Sequence, residues 1–269
     1  MTRLGAVFRW HLRREWVRML ALGLFAATFV ALVLGISNSV RPTEVQELME
    51  KFPAGLRALL GLKDGDIFDM ARWVGAVHTH PVWLVAILSF PLAAGLRGIA
   101  GGVDDGTLEV VLAQPMSRSA YYLALAGVVA LGVTVCLTCS LLGGLAVRAV
   151  IELPGEIPAA TLLALSASGW ALALSVGGIT LLASVVGAGG GRPGSWAIAI
   201  VVAMFFLRFL SNVVPTLSWL HWFTVFGYHD PRELVHEGFR AGPFLVLVSV
   251  GIACAGAGLW AFRRKQLTF

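Results

Sequence analysis

Six long apolar segments dominate this 269-residue sequence. A helix needs about 20 mostly apolar residues to cross the hydrocarbon core of a bilayer, where every backbone polar group must be bonded within the protein. The segments meet that requirement, and they lie at residues 17–36, 73–96, 120–147, 158–186, 196–215 and 243–262. The sequence therefore predicts an all-α integral membrane protein, with six transmembrane helices in a single domain over residues 1–269.

The distribution of charge predicts how these helices are oriented. Only 13% of the residues are charged, whereas ordinary soluble domains contain about 25%. Cytoplasmic loops of membrane proteins are enriched in Lys and Arg. The segments on the side of the two chain ends hold 11 Lys or Arg, and the opposite segments hold 8 together with 11 acidic residues. We expect both chain ends to be cytoplasmic, and this topology explains the net charge of +5 without a nucleic-acid partner.

Three regions outside the spans carry their own patterns. Residues 1–16 place Leu4, Val7 and Phe8 opposite several arginines, which predicts an interfacial helix on the inner leaflet, although Glu15 falls on the apolar side. A charged flank that only sets topology would explain these residues equally well. Residues 37–72 are predicted to form an external loop of two short helical stretches that break at Pro53. The aromatic residues of 216–242 predict an external or re-entrant region with a short helix in the outer leaflet.

A short stretch with polar residues at both ends separates the second and third spans. Residues 104–119 read "DDGTLEVVLAQPMSRS". Asp104 or Asp105 can cap a helix N-terminus, and Pro115 prevents continuation beyond about Ala113. The pattern predicts a short amphipathic helix in a loop over residues 97–119. Its apolar face must contact the protein's own spans, the inner leaflet or a soluble partner, and the pattern alone does not choose between them.

This stretch also carries a family resemblance. The run "GLRGIAGGVDDGTLEVVLAQPMSRSAYYLA" resembles the loop after the second span in permease subunits of type-2 ATP-binding-cassette (ABC) exporters, where an acidic "DGTLE" precedes "LLAxPxSR". "FPAGLRALLG" is similar to the first external loop of that family, "WLHWFTVFGYHDP" to its region before the last span, and "FRRKQL" to its basic C-terminal end. The chain departs from the family at Gly101 and Gly102, where further acids are common, and at residues 123–126, where a lysine is common.

The resemblance implies a function and a set of partners. It implies a permease of a bacterial or archaeal cell (inner) membrane that pairs with a second, identical or homologous permease. Two separate ATPase subunits would then bind ATP and Mg²⁺ and drive transport through a cytoplasmic coupling helix. Glu109 and Arg118 would be polar docking contacts, and Leu108, Val111 and Leu112 would fill a groove on the ATPase. The residues assigned to coupling are Asp105, Gly106, Thr107, Leu108, Glu109, Val111, Leu112, Pro115 and Arg118.

The chain itself lacks the sequence features of an enzyme. A phosphate-binding loop needs the sequence Gly-Lys-Ser/Thr, whereas Lys51, Lys63 and Lys265 follow Glu50, Leu62 and Arg264. We therefore expect no catalytic residue, no bound cofactor and no metal in this chain, so ATP hydrolysis belongs to another subunit. The alternative functions are a stand-alone secondary transporter and a non-transporting polytopic membrane protein.

A few polar residues within or near the spans invite a functional interpretation. Arg208 lies about halfway along the fifth span, where a charge is costly and normally faces protein or water. It is a candidate for the transport pathway, and a structural ion pair or a snorkelling side chain explains it equally well. The outer histidines, His78, His80, His221, His229 and His236, share one side of the membrane without a ligand pattern. We interpret them as surface or interface residues.

Overall fold

The computed structural model describes residues 3–37, 70–151, 153, 155–188 and 193–265. All regular secondary structure in these residues is helical. The α-helices are α1 (Arg3–Ile36), α2 (Met70–Thr79), α3 (Pro81–Leu96), α4 (Thr107–Leu112), α5 (Arg118–Val150), α6 (Ala159–Gly187), α7 (Pro193–Val213), α8 (Pro231–Glu237) and α9 (Ala241–Arg264).

Six of the helical segments in the described residues are long and apolar enough to cross a membrane. Their bounds are Leu4–Ile36, Pro81–Asp104, Arg118–Val150, Ala159–Gly187, Trp196–Val213 and Ala241–Arg264. The number and order of the predicted spans are therefore confirmed. The external loop predicted for residues 37–72, with its break at Pro53, lies almost wholly outside the described residues.

The first helix differs from the sequence prediction. α1 runs without interruption from Arg3 to Ile36, so the expected turn between an interfacial helix and the first span is wrong. The reason is visible in the packing, because His11 and Glu15 are buried against the same bundle as Met19 and Ala26. One buried stripe thus runs from His11 to Leu34 and joins the turns around His11 to the bundle that packs against the span.

The second span lies further along the sequence than predicted. His80 has an extended backbone that ends α2, and its side chain accepts a hydrogen bond from the Val82 N–H at the start of α3. Pro81 occupies the first helical position, where its missing N–H removes no helical bond. At the other end, α3 continues as a π-helix over Arg97–Gly101 and one further turn over Gly102–Asp104. Residues 97–104 therefore belong to the span, and the loop predicted for 97–119 begins only at Asp105.

α6 lies at the centre of the bundle. It packs against α3, α5 and α9, while α1 packs along α5. α6 and α9 approach closely at Gly178, where an added Cβ would lie 2.2 Å from the Gly251 carbonyl oxygen. Ser175 donates a hydrogen bond to the Leu247 carbonyl across the same interface, at 2.5 Å. Small residues allow such backbone contact between membrane helices, which gives close van der Waals packing.

The region before the last helix is helical, as the sequence predicts. Two 3₁₀ segments, Pro215–Phe223 and Val225–Gly227, precede α8. Asp230 caps α8 by accepting hydrogen bonds from the N–H groups of Arg232 and Glu233. Trp219, Trp222 and Phe223 are largely exposed, which suits amphipathic aromatic rings at a membrane interface.

Candidate functional site

The short helix predicted after the second span is present as α4. Gly106 precedes it with φ of +71°, a left-handed conformation that glycine adopts without strain. Asp105, rather than Asp104, binds the helix start, because its Oδ1 accepts the Thr107 N–H at 2.9 Å. Hydrogen bonds from the Thr107 side chain and backbone lower the pKa of Asp105. α4 ends at Leu112, three residues before Pro115, as expected from the sequence.

The apolar face of α4 is turned toward the protein itself. Leu108 is 0% exposed, and Val111 and Leu112 are half-buried. They pack with the ends of the spans in a second hydrophobic cluster, which we call the end cluster. Leu108 is enclosed within its own chain in this structure, and its role in filling a groove on a partner stays a prediction. The buried members of the end cluster are Ile99, Val103, Leu108, Tyr121, Tyr122, Leu125, Leu181, Val185, Ala188 and Phe262.

The exposed face of α4 carries different residues. Glu109 is exposed, and Val110 exposes 68% of its surface. Asp104 and Gln114 flank them and are also exposed. Sequence reasoning missed Val110, although an apolar residue two positions after Leu108 lies on the opposite side of a helix. An acidic and an apolar side chain thus project together from the short helix.

Next to α4, hydrogen bonds join the ends of neighbouring spans. The Tyr121 hydroxyl donates to the Gly98 carbonyl in the π-helix at 2.5 Å. The Ala100 N–H, in the same π-helix, donates to the Ser184 hydroxyl at 3.0 Å. These bonds connect the end of α3 to α5 and α6. The π-helical turn, a feature often found at functional sites, is therefore anchored from two sides.

Hydrogen bonds of Lys265, after the end of α9, join the same group of span ends. Arg118 donates to the Lys265 carbonyl at 2.5 Å, and Lys265 Nζ donates to the carbonyls of Val185 and Val186, each at 2.8 Å. Partial burial lowers the pKa of Lys265. Arg118 therefore joins the start of α5 to the end of α9. This placement argues against the predicted role of Arg118 as an outward docking contact.

A buried carboxylate joins α1 to α3 at the same end of the bundle. Glu15 Oε2 lies 2.9 Å from Arg97 Nη2, and Glu15 Oε1 lies 3.1 Å from Arg18 Nη1. The Glu15 side chain is only 5% exposed. Sequence reasoning noticed that Glu15 interrupts the apolar pattern of α1, but it did not find the partner, which lies 82 positions away.

At the opposite end, two histidines are buried rather than exposed. His229 Nδ1 lies 2.8 Å from the Ser168 hydroxyl, and its Nε2 lies 3.4 Å from the His78 carbonyl oxygen. Trp83 stacks on the His229 ring with centroids 5.9 Å apart. Of the two interpretations given for these histidines, surface or interface residues, a surface position is therefore wrong for His78 and His229, which are 2% and 6% exposed. Since the His78 carbonyl only accepts, His229 carries its proton on Nε2 and accepts the Ser168 O–H at Nδ1.

The predicted pathway arginine has a local partner. Arg208 Nη2 lies 2.7 Å from Asp230 Oδ2, and the two side chains are 21% and 34% exposed. This geometry agrees with the structural ion pair considered from the sequence, and a pathway role stays a prediction. Within the described residues, no group of three His, Cys, Asp or Glu side chains is arranged to hold a metal ion.

No protein-family model matches the chain, and no curated protein matches it. Functional inference therefore depends on the residues of this chain and on the arrangement just described.

Proposed function

We propose that this chain is the transmembrane permease subunit of an ABC transporter, acting as an exporter. The observation that carries the proposal is the position of α4. It is a short helix outside the spans whose inner side is buried among the ends of α3, α5, α6 and α9. A force applied to its exposed side would therefore act on four spans together, which is what a coupling element requires. The sequence pattern "DGTLE…LAQPMSR" adds the resemblance to the coupling loop of that family.

The proposed partners are two cytoplasmic ATPase subunits and a second permease. The ATPase subunits bind ATP and Mg²⁺, since this chain has no phosphate-binding loop. The docking surface consists of Glu109 and Val110, with the Asp105 to Thr107 turn before them and Pro115 after them. The second permease, a copy or a homologue, completes a pathway of 12 spans.

Coupling follows from how the end cluster is built. Closure of the ATPase subunits displaces α4, and Leu108 passes the displacement to Ile99, Tyr121 and Phe262, because closely packed side chains shift together. The hydrogen bonds from Tyr121 to Gly98 and from Arg118 to Lys265 extend the connection to α3 and α9. The pathway between the spans then switches between an inward-open and an outward-open state, provided that nucleotide favours one of these two states.

The proposed location is the cell (inner) membrane of a bacterium or archaeon. The chain ends and α4 face the cytoplasm, in agreement with the excess of Lys and Arg on that side. Lipid surrounds the spans, and nucleic acid has no part in the function.

The decisive experiment is co-purification of the full chain with its cytoplasmic ATPase, followed by assay of ATP hydrolysis. The test variant is Glu109→Arg with Val110→Asp, which alters only exposed side chains of α4. We expect at least tenfold weaker ATPase binding, because reversing a charge within an interface costs more than about 1.4 kcal/mol. A matched control is Glu237→Arg with Val150→Asp, which makes the same changes at exposed sites on the opposite end.

The control should retain the ATPase. If well-folded wild-type protein has no ATPase partner, or if the α4 variant keeps it at full affinity, the permease proposal fails. A stand-alone secondary transporter would then be the better hypothesis.

A further inference from the structure

A short stretch between α7 and α9, residues 228–237, packs against α2 and α6 at the end of the bundle opposite to the end cluster. We call it the α8 segment. Glycines bound it on both sides. An added Cβ at Gly227 would clash with the His221 carbonyl oxygen, and Gly238 has φ of +81°, a left-handed value that favours glycine. The α8 segment is therefore joined to its flanks by two turns that require glycine.

His229 attaches the α8 segment to three other elements. Its Nδ1 lies 2.8 Å from the Ser168 hydroxyl of α6, and its Nε2 lies 3.4 Å from the His78 carbonyl oxygen of α2. Its ring stacks on Trp83 of α3, with 13° between the two planes. One ring nitrogen accepts a hydrogen bond and the other donates one, an arrangement that is available only to the neutral ring.

The charged groups that face His229 leave it no free carboxylate. Asp230, the next residue, is paired with Arg208 of α7 at 2.7 Å and also caps α8. α2 contributes His78, a second buried histidine. The side chains of α3 and α6 that contact the ring are uncharged. A proton on His229 would therefore place a buried positive charge near Arg208, without a carboxylate of its own to pair with.

A small polar cavity lies beside the hydrogen bond between Ser168 and His229. Its volume of about 20 Å³ has room for one water molecule. Ser168, Asp230, Glu233 and Arg240 are among the residues that line it. Glu233 and Arg240 form an ion pair whose side chains are 43% and 47% exposed, so the cavity adjoins the protein surface. A proton thus has a short route from the surface to the Ser168 hydroxyl, which bonds the His229 ring.

Proton binding is linked to the position of this ring. Burial brings the pKa of His229 down from 6.5 to about 4, against the opposing hydrogen bond to the His78 carbonyl and the opposing charge of Asp230. A ring that leaves these contacts for water regains its ordinary pKa. The attached position is therefore favoured fully above about pH 6.5, and this advantage is lost as the pH falls toward 4. Between about pH 7 and about pH 5, the ratio of released to attached ring should rise about twentyfold.

We propose that His229 is a proton-binding site and that its protonation releases the α8 segment from α2, α3 and α6. The segment stays joined to the start of α9, because Arg240 pairs with Glu233 and Glu237 independently of His229. The inference does not depend on ATP-driven transport. In the orientation that we propose, the site responds to the pH outside the cell.

The test is hydrogen–deuterium exchange, read by mass spectrometry, of the full chain in nanodiscs at about pH 7 and about pH 5. The rates are corrected for the intrinsic effect of pH on amide exchange. At the lower pH the amides of α8 should lose about twentyfold in protection, whereas those of α6 keep theirs. In His229→Asn the protection of α8 should be lower at both pH values and should differ little between them, because this ring no longer titrates.

The matched control is His78→Asn, which replaces a buried histidine whose Nδ1 lies 2.8 Å from the Val74 carbonyl oxygen of its own helix. It should retain the effect of pH on α8. His221→Asn makes the same substitution at a partly buried histidine, and it serves as the control if His78→Asn does not fold.

The proposal is overturned if α8 of the wild type keeps its protection at the lower pH, or if His229→Asn shows the wild-type change. Loss of the pH effect in a folded His78→Asn protein would overturn it in favour of His78 as the proton-binding residue. An equal loss of protection in α6 would also overturn it, because the whole fold rather than one segment would then respond to the proton.

Discussion

At the scale of single residues, Glu15 has one meaning in the sequence and another in the structure. In the sequence it interrupts an amphipathic pattern and weakens the case for an interfacial helix. In the structure it is buried, and it joins α1 to the end of α3 through Arg97. A buried ion pair contributes little net stability, but removing one partner leaves an uncompensated charge and is strongly destabilising. Loss of Arg97 alone should therefore destabilise the protein, because it would remove a partner of the buried Glu15 carboxylate.

His229 gives a residue-scale prediction about pH. Burial lowers the pKa of His229 from 6.5 to about 4, and this effect outweighs the opposing hydrogen bond to the His78 carbonyl and the opposing charge of Asp230. Because the unfolded chain binds the proton more readily, the folded state is favoured fully above about pH 6.5, and that contribution is lost as the pH falls toward 4. The expected loss of stability between about pH 7 and about pH 5 is on the order of 2 kcal/mol.

Thermal unfolding of purified protein in detergent at the two pH values measures this loss. His229→Asn should reduce the dependence on pH by about that amount, because one titrating ring is removed while the buried His78, whose pKa is also lowered by burial, remains. His221→Asn is the matched control, since it makes the same substitution at a histidine that is only partly buried. Equal pH dependence in wild type and His229→Asn would contradict the prediction.

At the scale of elements, α4 shows that a sequence pattern predicts a helix and its apolar face but not the surface that this face contacts. The sequence predicted the helix and its end near Ala113, whereas the N-cap residue is Gly106 and Asp105, one position earlier, accepts the Thr107 N–H. It also identified Leu108, Val111 and Leu112 as one apolar face. The surface that this face contacts was left open, because helical periodicity specifies only that a face must be buried. The surrounding span ends enclose Leu108.

Two neighbouring substitutions in α4 should therefore change the free energy of unfolding by very different amounts. Leu108→Ala removes a fully buried side chain and should lower the free energy of unfolding by about 2–5 kcal/mol. Val110→Ala changes an exposed side chain and should stay within about 0.5 kcal/mol of wild type. Denaturant unfolding in detergent micelles measures both. Similar losses for the two variants would show that Leu108 is not enclosed as described.

At the scale of the whole molecule, the six spans place the α4 region and α8 at opposite ends of the bundle. The end cluster contains residues from the ends of α3, α6 and α9 and from the start of α5. The region of α8 follows α7, which runs away from that end. In the orientation that we propose from the charge distribution, the end cluster faces the cytoplasm.

Thiol labelling tests this orientation. With the three cysteines replaced by alanine, Gln114→Cys and Glu237→Cys would each introduce one exposed thiol. A membrane-impermeant maleimide should label the Glu237→Cys protein in intact cells, and the Gln114→Cys protein only after permeabilisation. Labelling of both from outside, or the reverse order, would contradict the proposed orientation.

The sequence by itself determined the number, order and approximate position of the spans. The reason is that crossing a bilayer depends on local length and apolar composition, which any window of the sequence displays. The capped helix and the aromatic region before α9 were predictable for the same reason, because caps and interfacial residues act within a few positions.

Only the tertiary structure decided which distant polar groups meet. The Glu15–Arg97 ion pair and the Ser168–His229 hydrogen bond join residues 82 and 61 positions apart. Neither contact leaves a periodic signal in the sequence. Likewise, the continuity of α1 and the π-helical extension of α3 depend on side chains from other helices, which satisfy polar groups that a local pattern leaves unpaired.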